Sequence, residues 1–207
     1  VSTHRTLEHY EKNAGSFWEA TRAHDVSQNR NALVEALGGG AGLRVLDFGC
    51  GPGRDLVAFR AMGHVAVGLD GCVAFCAMAR ELSGCEVLHQ DFTNLTLPAE
   101  GFDGVFANAS LFHVASVDLP QVLRALRAAV RPGGVLVASN PRSGGEGGAA
   151  EHEGWNGDRY GCWFELPTWT RLLAEGGWTV ERHYYRPEGR PIDEQPWLVT
   201  VSRRLEA

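Results

Sequence analysis

From residue 43 to residue 140 the chain repeats one rhythm, a short apolar run followed by an amphipathic stretch. The runs "LRVLDFG", "HVAVGLD", "CEVLHQD", "FDGVFANAS" and "GVLVASN" read as strands, and "RDLVAFRAMG", "CVAFCAMARELSG" and "DLPQVLRALRAAV" read as helices between them. Runs this apolar do not alternate inside with outside, so each strand expects cover on both faces. That is the condition of a parallel sheet with right-handed crossovers. The fold class that follows is α/β, doubly wound and mostly parallel. Downstream, "LPTWTRLLAEGG" continues as a helix that stops near Gly176 and Gly177, and "WTVERHYYR" and "PWLVTVSRR" read as two strands around the turn-rich "PEGRPIDEQ". Strands that close so tightly form a hairpin at a sheet edge.

Two segments depart from the rhythm. Residues 1–37 read as a helical cap in which Ser16 and Ser27, or Asp25 just before it, are candidate N-caps. Residues 141–165 are glycine-rich, polar and aromatic, and follow directly on a strand end; the reading is a long loop, either a lid or a mobile flap. With the core at 43–140 and a final helix and strand pair at 166–204, the chain reads as one domain. No apolar run approaches the roughly 18 to 20 residues that cross a bilayer, and "VSTHRTLEHY" lacks the apolar core of a secretion signal, so the expected location is the cytoplasm. Five cysteines without metal-like spacing suggest reduced, mostly buried thiols and no metal site. A formal charge of −6 argues against a nucleic-acid surface and leaves a small molecule as the expected partner.

Chemistry enters at "RVLDFGCGPGRDL", where the first strand ends in an aspartate and three glycines at alternate positions. In open α/β sheets ligands settle beyond the carboxyl ends of the strands. A turn of Gly49, Gly51 and Gly53, stiffened by Pro52, lets a ligand approach the backbone while the following helix offers free N–H groups. A dinucleotide site needs a further glycine where this chain has Arg54.

These residues resemble the class I methyltransferases that use S-adenosylmethionine. "LDFGCGPG" is similar to the family's acidic residue and glycine turn, "VGLD" to its second-strand end, "QDF" to its third-strand end, and "LRAAVRPGGVLV" to its helix, turn and fifth strand. The resemblance covers about residues 40–140 and implies a Rossmann-like, seven-stranded sheet with an antiparallel final strand. It also implies that Gly49, Gly51 and Gly53 line the amino acid and ribose of the cofactor, with Asp47 organising the turn. Asp70, with Gly71 beside it, would meet the ribose hydroxyls. Asp91 and Phe92 would meet the adenine, Asn108 would stand at the gate between cofactor and acceptor, and Leu111 and Phe112 would flank the cofactor.

The acceptor side is read from residues that should meet above the cofactor. Tyr10, Trp18 and Arg22 are candidate cofactor contacts, since Trp18 and Arg22 lie four apart on one helix face and an aromatic ring near a sulfonium adds roughly 0.5 to 2 kcal/mol; Phe17 reads as pinning the cap to the core. His113 is the candidate base or substrate holder, or else packs at a helix start, and His24 and Asp25 are further candidates for proton transfer. Gln28, Asn29, Asn140, Arg142, Asn156, Arg159, Tyr160, Tyr184, Tyr185 and Arg186 offer aromatic faces and directed donors for an acceptor. The function that follows is methyl transfer to a nitrogen or sulfur, less readily an oxygen, of a small polar amino-acid-like or heteroaromatic metabolite. An NAD-dependent oxidoreductase and a non-catalytic S-adenosylmethionine-binding regulatory module are the alternatives.

Overall fold

The computed structural model describes residues 2–143 and 151–205. Strands β1 (Arg44–Phe48), β2 (Val65–Asp70), β3 (Glu86–His89), β4 (Phe102–Asn108) and β5 (Val130–Pro141) run parallel, and the sheet continues through β9 (Trp197–Arg204) to β8 (Trp178–Arg186) at the edge. Its order is β3-β2-β1-β4-β5-β9-β8, with β9 antiparallel to both of its neighbours. The expected alternation of strands and helices, the edge hairpin and the antiparallel last strand are all present.

The apolar runs are strands because both their faces are covered. Along β1, Val45 joins an apolar cluster with Leu33 of α2 (Ser27–Ala36) and with Leu56 and Phe59 of α3 (Arg54–Ala61). The next residue, Leu46, joins a second cluster with Leu123 and Leu126 of α5 (Leu119–Ala129) and Trp169 and Leu173 of α6 (Leu166–Glu175). Two large polar-tipped side chains in the core are satisfied: the Trp169 Nε1–H donates to Thr200 Oγ1 at 3.0 Å and the Trp178 Nε1–H to the Leu123 carbonyl at 3.0 Å.

The cap begins with one continuous helix, α1 (Ser2–Thr21). Ser16 therefore starts nothing; it lies inside α1, where its hydroxyl donates to the Asn13 carbonyl at 3.0 Å. Neither Ser27 nor Asp25 is the N-cap of α2: Val26 holds that position, Ser27 is the first helical residue, and Asp25, one residue further out, accepts the Ser27 amide on Oδ1 at 2.8 Å. Helix α1 docks by lending Glu11 to the amino end of α4 (Val73–Ser83), where the carboxylate accepts the Val73 and Ala74 amides that the helix itself leaves unpaired. Around that joint Ala14, Cys72 and Phe75 are buried with Tyr10 and Phe17 packed on them.

The reading of 141–165 as a loop is corrected in its second half; residues 144–150 lie outside the described residues. His152–Asn156 (β6) and Arg159–Trp163 (β7) pair as an antiparallel hairpin. Asn156 faces Arg159, which leaves Gly157 and Asp158 as a two-residue turn with Gly157 at φ +61°. The hairpin is tied to α1, since Thr6 Oγ1 accepts the Tyr160 amide at 2.9 Å and Arg5 pairs with Asp158 at 2.6 Å.

Candidate functional site

At the carboxyl ends of β1 to β4 the sheet opens into a cleft of about 590 Å³, floored by the glycine turn and roofed by α1 and β7. The three glycines do different work. A Cβ on Gly49 (φ +75°) would stand 2.3 Å from the Ser110 Cβ, and one on Gly53 (φ +97°) 2.8 Å from the Ala79 backbone of α4. Both positions need glycine for packing and for the left-handed backbone. A Cβ on Gly51 would instead enter the cleft, with its nearest neighbour the Phe17 ring at 3.9 Å. Gly49 and Gly51 line the cleft, whereas Gly53 ends the turn as the residue before α3.

Asp70 holds the turn in place. Its Oδ2 accepts the Gly51 amide and its Oδ1 the Cys72 amide, each at 2.9 Å. Burial pushes its pKa up to about 6, against the restraint of those amide bonds. A carboxylate accepts more bonds than these two, so Asp70, which lines the cleft, has acceptor capacity left for a ligand. Asp47 lies outside the lining, 2% exposed, with Oδ2 buried and unpartnered. Burial, reinforced by nearby Asp55, holds its pKa well above the usual carboxylate range. Asp55 itself is neutralised, with Arg30 at 2.5 Å and Arg54 at 2.7 Å. Arg54, the residue at the position of the dinucleotide glycine, also donates to the Thr21 carbonyl at 3.0 Å and so ties α3 to the end of α1.

At the end of β4 the backbone is strained where it meets the cleft: Ala109, between Asn108 and Ser110, sits at φ +60°. Asn108 lines the cleft and is oriented from behind. The Tyr184 hydroxyl donates to Asn29 Oδ1 at 2.9 Å, and Asn29 Nδ2 donates to Asn108 Oδ1 at 2.8 Å. Asn29, 1% exposed, and Tyr184 were expected to touch the acceptor; they do not line the cleft and form a relay behind Asn108 instead.

A second relay crosses the roof. His113 closes the 3₁₀ turn Leu111–His113, with Nδ1 at 2.6 Å from the Tyr160 carbonyl and Nε2 at 2.9 Å from the Tyr10 hydroxyl. A carbonyl only accepts, so Nδ1 carries the proton and Nε2 accepts from Tyr10. Burial lowers the His113 pKa to about 4 and keeps the ring neutral. Tyr10, raised by burial, also stays protonated, and the nearby Arg159 charge partly offsets that rise.

The remaining expected site residues divide by element. Trp18, His24, Asp25, Gly71, Asp91, Phe92, Arg159 and Arg186 line the cleft. Phe92 packs on Phe48 at 4.3 Å between ring centroids, and Asp91 Oδ1 accepts the Thr93 amide and hydroxyl at 2.8 and 2.7 Å. Asp25 is a weak base here, because the Ser27 amide holds its pKa below the ordinary value. Several expectations are corrected. Arg22 lies just beyond α1 and turns back to Glu19 at 3.0 Å, away from Trp18. Gln28 pairs with Glu188 at 3.0 Å, and Leu111 is fully buried in the core. Arg142 is consumed by Glu165 and the Ile192 and Gln195 carbonyls and lies over the Tyr185 ring at 4.5 Å, so neither side chain reaches the cleft. Asn156 is exposed at the hairpin turn, Tyr160 contributes its backbone while its hydroxyl donates to Glu153, and Asn140 is buried beneath Phe112 with both amide atoms unpartnered. Phe17, read only as an anchor, both packs on Phe75 at 5.1 Å and lines the cleft. Sequence reasoning missed Pro187 of the β8–β9 connection, Trp197 at the start of β9, and Asp55, whose only signal was its place in the first turn of α3.

A profile described as a methyltransferase domain matches residues 45–134. Those residues hold β1 to β4 and the floor of the cleft. The matched segment, residues 45–134, is thus similar to the class I S-adenosylmethionine-dependent methyltransferases. It is 37% identical over 105 residues to a trans-aconitate 2-methyltransferase of Paracidovorax citrulli, covering 49% of this chain and 40% of that one. It is 32% identical over 137 residues to a malonyl-[acyl-carrier protein] O-methyltransferase of Erwinia pyrifoliae, covering 63% and 52%. The chain thus spans about half the length of the curated relatives it matches. Among solved structures, a Burkholderia thailandensis 1,6-didemethyltoxoflavin-N1-methyltransferase with bound 1,6-didemethyltoxoflavin and S-adenosylhomocysteine superposes with a TM-score of 0.76 at 23% identity, covering all of this chain and 92% of that one. The methyltransferase fold, Rossmann-like with its antiparallel last strand, is therefore shared across the whole chain. S-adenosylmethionine is the cofactor of that family.

Proposed function

We propose that this chain transfers the methyl group of S-adenosylmethionine to a small polar molecule, at a nitrogen or sulfur in preference to oxygen. The observation that carries the reading is the Gly51–Asp70 bond: a side-chain-free backbone turn faces the cleft, and the carboxylate that fixes it retains acceptor capacity for a vicinal diol. The residues fit the cofactor on a further count. A side chain at Gly51 would occupy the cleft, and the buried, unpartnered Asp47 oxygen lies at the end of β1 behind the turn. Gly49, Gly51, Asp70, Asp91 and Phe92 would hold it.

When bound, the cofactor supplies a methyl group made electrophilic by a sulfonium. The chain's part is alignment and exclusion of water, and such positioning is worth on the order of 7 to 11 kcal/mol. Phe17, Trp18 and Tyr10 close the cleft from α1, and Asn108, its Oδ1 taken by Asn29, offers its amide donors to the acceptor. His113 acts by position: neutral and with both nitrogens engaged, it fixes the Tyr10 hydroxyl. That arrangement supplies no strong base, which favours an acceptor nitrogen or sulfur that already carries its lone pair over an alcohol that must first lose a proton. Arg54 in place of the further glycine disfavours the NAD-dependent alternative.

Methyl-labelled S-adenosylmethionine incubated with a metabolite extract and followed by mass spectrometry tests the reading. Several equivalents of label per protein should appear in one small molecule. A stoichiometric limit would leave only a regulatory binding module, and no labelled product with NAD reduction would favour the oxidoreductase.

A further inference from the structure

Among the described residues, the cleft contains one arginine whose charge is not spoken for. Arg54 is paired with Asp55 at 2.7 Å, and Arg186 donates to the Asp25 carbonyl at 2.7 Å beside the Asp25 carboxylate. Arg159 meets neither a carboxylate nor a backbone carbonyl among the described residues. Its neighbour Asp158 is no help, because that carboxylate is occupied by Arg5 at 2.6 Å and His9 at 3.8 Å.

Arg159 is nevertheless held. The Tyr160 carbonyl fixes the His113 tautomer, His113 Nε2 accepts the Tyr10 hydroxyl hydrogen bond, and the Tyr10 oxygen so held stands close to the Arg159 guanidinium in the same cleft. Three groups, from β7, the 3₁₀ turn and α1, thus converge beside one cation, and a guanidinium has five N–H donors of which this chain engages few. Its field reaches a buried neutral histidine and a buried neutral phenol, which return no compensating charge. A sulfonium entering the same cleft adds a second positive charge, and like charges in a partly desolvated space repel. An anion between them converts that repulsion into attraction, and a planar fork recognises an oxyanion in two-point fashion.

We propose that Arg159, set by the Tyr10–His113 relay, receives an oxyanion carried by the methyl acceptor, a carboxylate or a phosphate. This rests on the methyltransferase reading and narrows its substrate to an anionic or zwitterionic small molecule. Arg159 then gates acceptor choice through charge, with Tyr10 and His113 as positioning residues behind it.

The test uses the protein saturated with S-adenosylhomocysteine and titrated calorimetrically with malonate and, separately, with inorganic phosphate. At least one should bind, and which one does identifies the oxyanion. Arg159→Gln should weaken that binding by about tenfold or more while S-adenosylhomocysteine affinity stays within about twofold, and Arg159→Lys should retain part of it. Tyr10→Phe, which leaves the charge but removes its anchor, should weaken it less than Arg159→Gln. Absence of binding by either anion to the wild-type complex overturns the proposal, as does binding that survives Arg159→Gln. A comparable loss of S-adenosylhomocysteine affinity in Arg159→Gln would also overturn it by assigning the charge to the cofactor. Failure of S-adenosylhomocysteine itself to bind the wild-type protein would instead count against the methyltransferase reading.

Discussion

At the scale of single residues, the glycine turn separates packing from binding. Gly49→Ala would press a Cβ into Ser110 on a left-handed backbone, a strain of roughly 1 to 3 kcal/mol before the overlap is counted, so its urea midpoint should drop sharply. Gly51→Ala should cost less stability and more S-adenosylhomocysteine affinity, because its Cβ enters the cleft. Equal loss of stability in both variants would contradict that division. Asp70 and His113 give opposite pH trends. The raised Asp70 pKa means the folded protein binds a proton that the unfolded chain has lost, so its contribution to stability improves as pH falls from about 6 toward 3.8. Ligand affinity should move the other way, weakening below about pH 6 as the acceptor is protonated, and Asp70→Asn should flatten the dependence in calorimetry. The lowered His113 pKa favours the folded state above 6.5, and this is lost as pH falls toward 4. Its ring resonances should therefore stay neutral through physiological pH in an NMR titration; a midpoint near 6.5 would return it to the role of general base.

At the scale of elements, the core was legible because covered strands leave continuous apolar runs such as "VAVGLD" and because the turn residues after β1 obey backbone sterics. The roof was not. Strands β6 and β7 are short and interrupted by Gly154 and Gly161, and β6 is largely exposed, so no apolar run marks them; the Gly157–Asp158 turn between Asn156 and Arg159 was the available hairpin signal. Site residues at strand ends, such as Asp70 and Asn108, fell where strand position puts them. Asn29, Tyr184 and Tyr160 did not, since a sequence shows that a polar side chain exists but not which polar partner a distant element brings to it. Because α1 and the hairpin are joined through Thr6, Arg5 and the Tyr10–His113 bond, S-adenosylhomocysteine should slow amide exchange in both together. Protection confined to the sheet side of the cleft would mean that the roof takes no part in binding.

At the scale of the molecule, the seven-stranded sheet carries the floor of the cleft, while the lining above it comes from α1, the hairpin and residues 186–197. Ligand binding to the folded state alone should raise stability by about 4 kcal/mol at a thousandfold excess over Kd, visible as a rise in Tm. The most direct measurement is a parallel calorimetric titration of the protein with S-adenosylhomocysteine and with NAD. One-site binding of S-adenosylhomocysteine that is lost in Asp70→Ala, with no heat from NAD, is the predicted result. Binding of NAD, or no binding of S-adenosylhomocysteine, would contradict it.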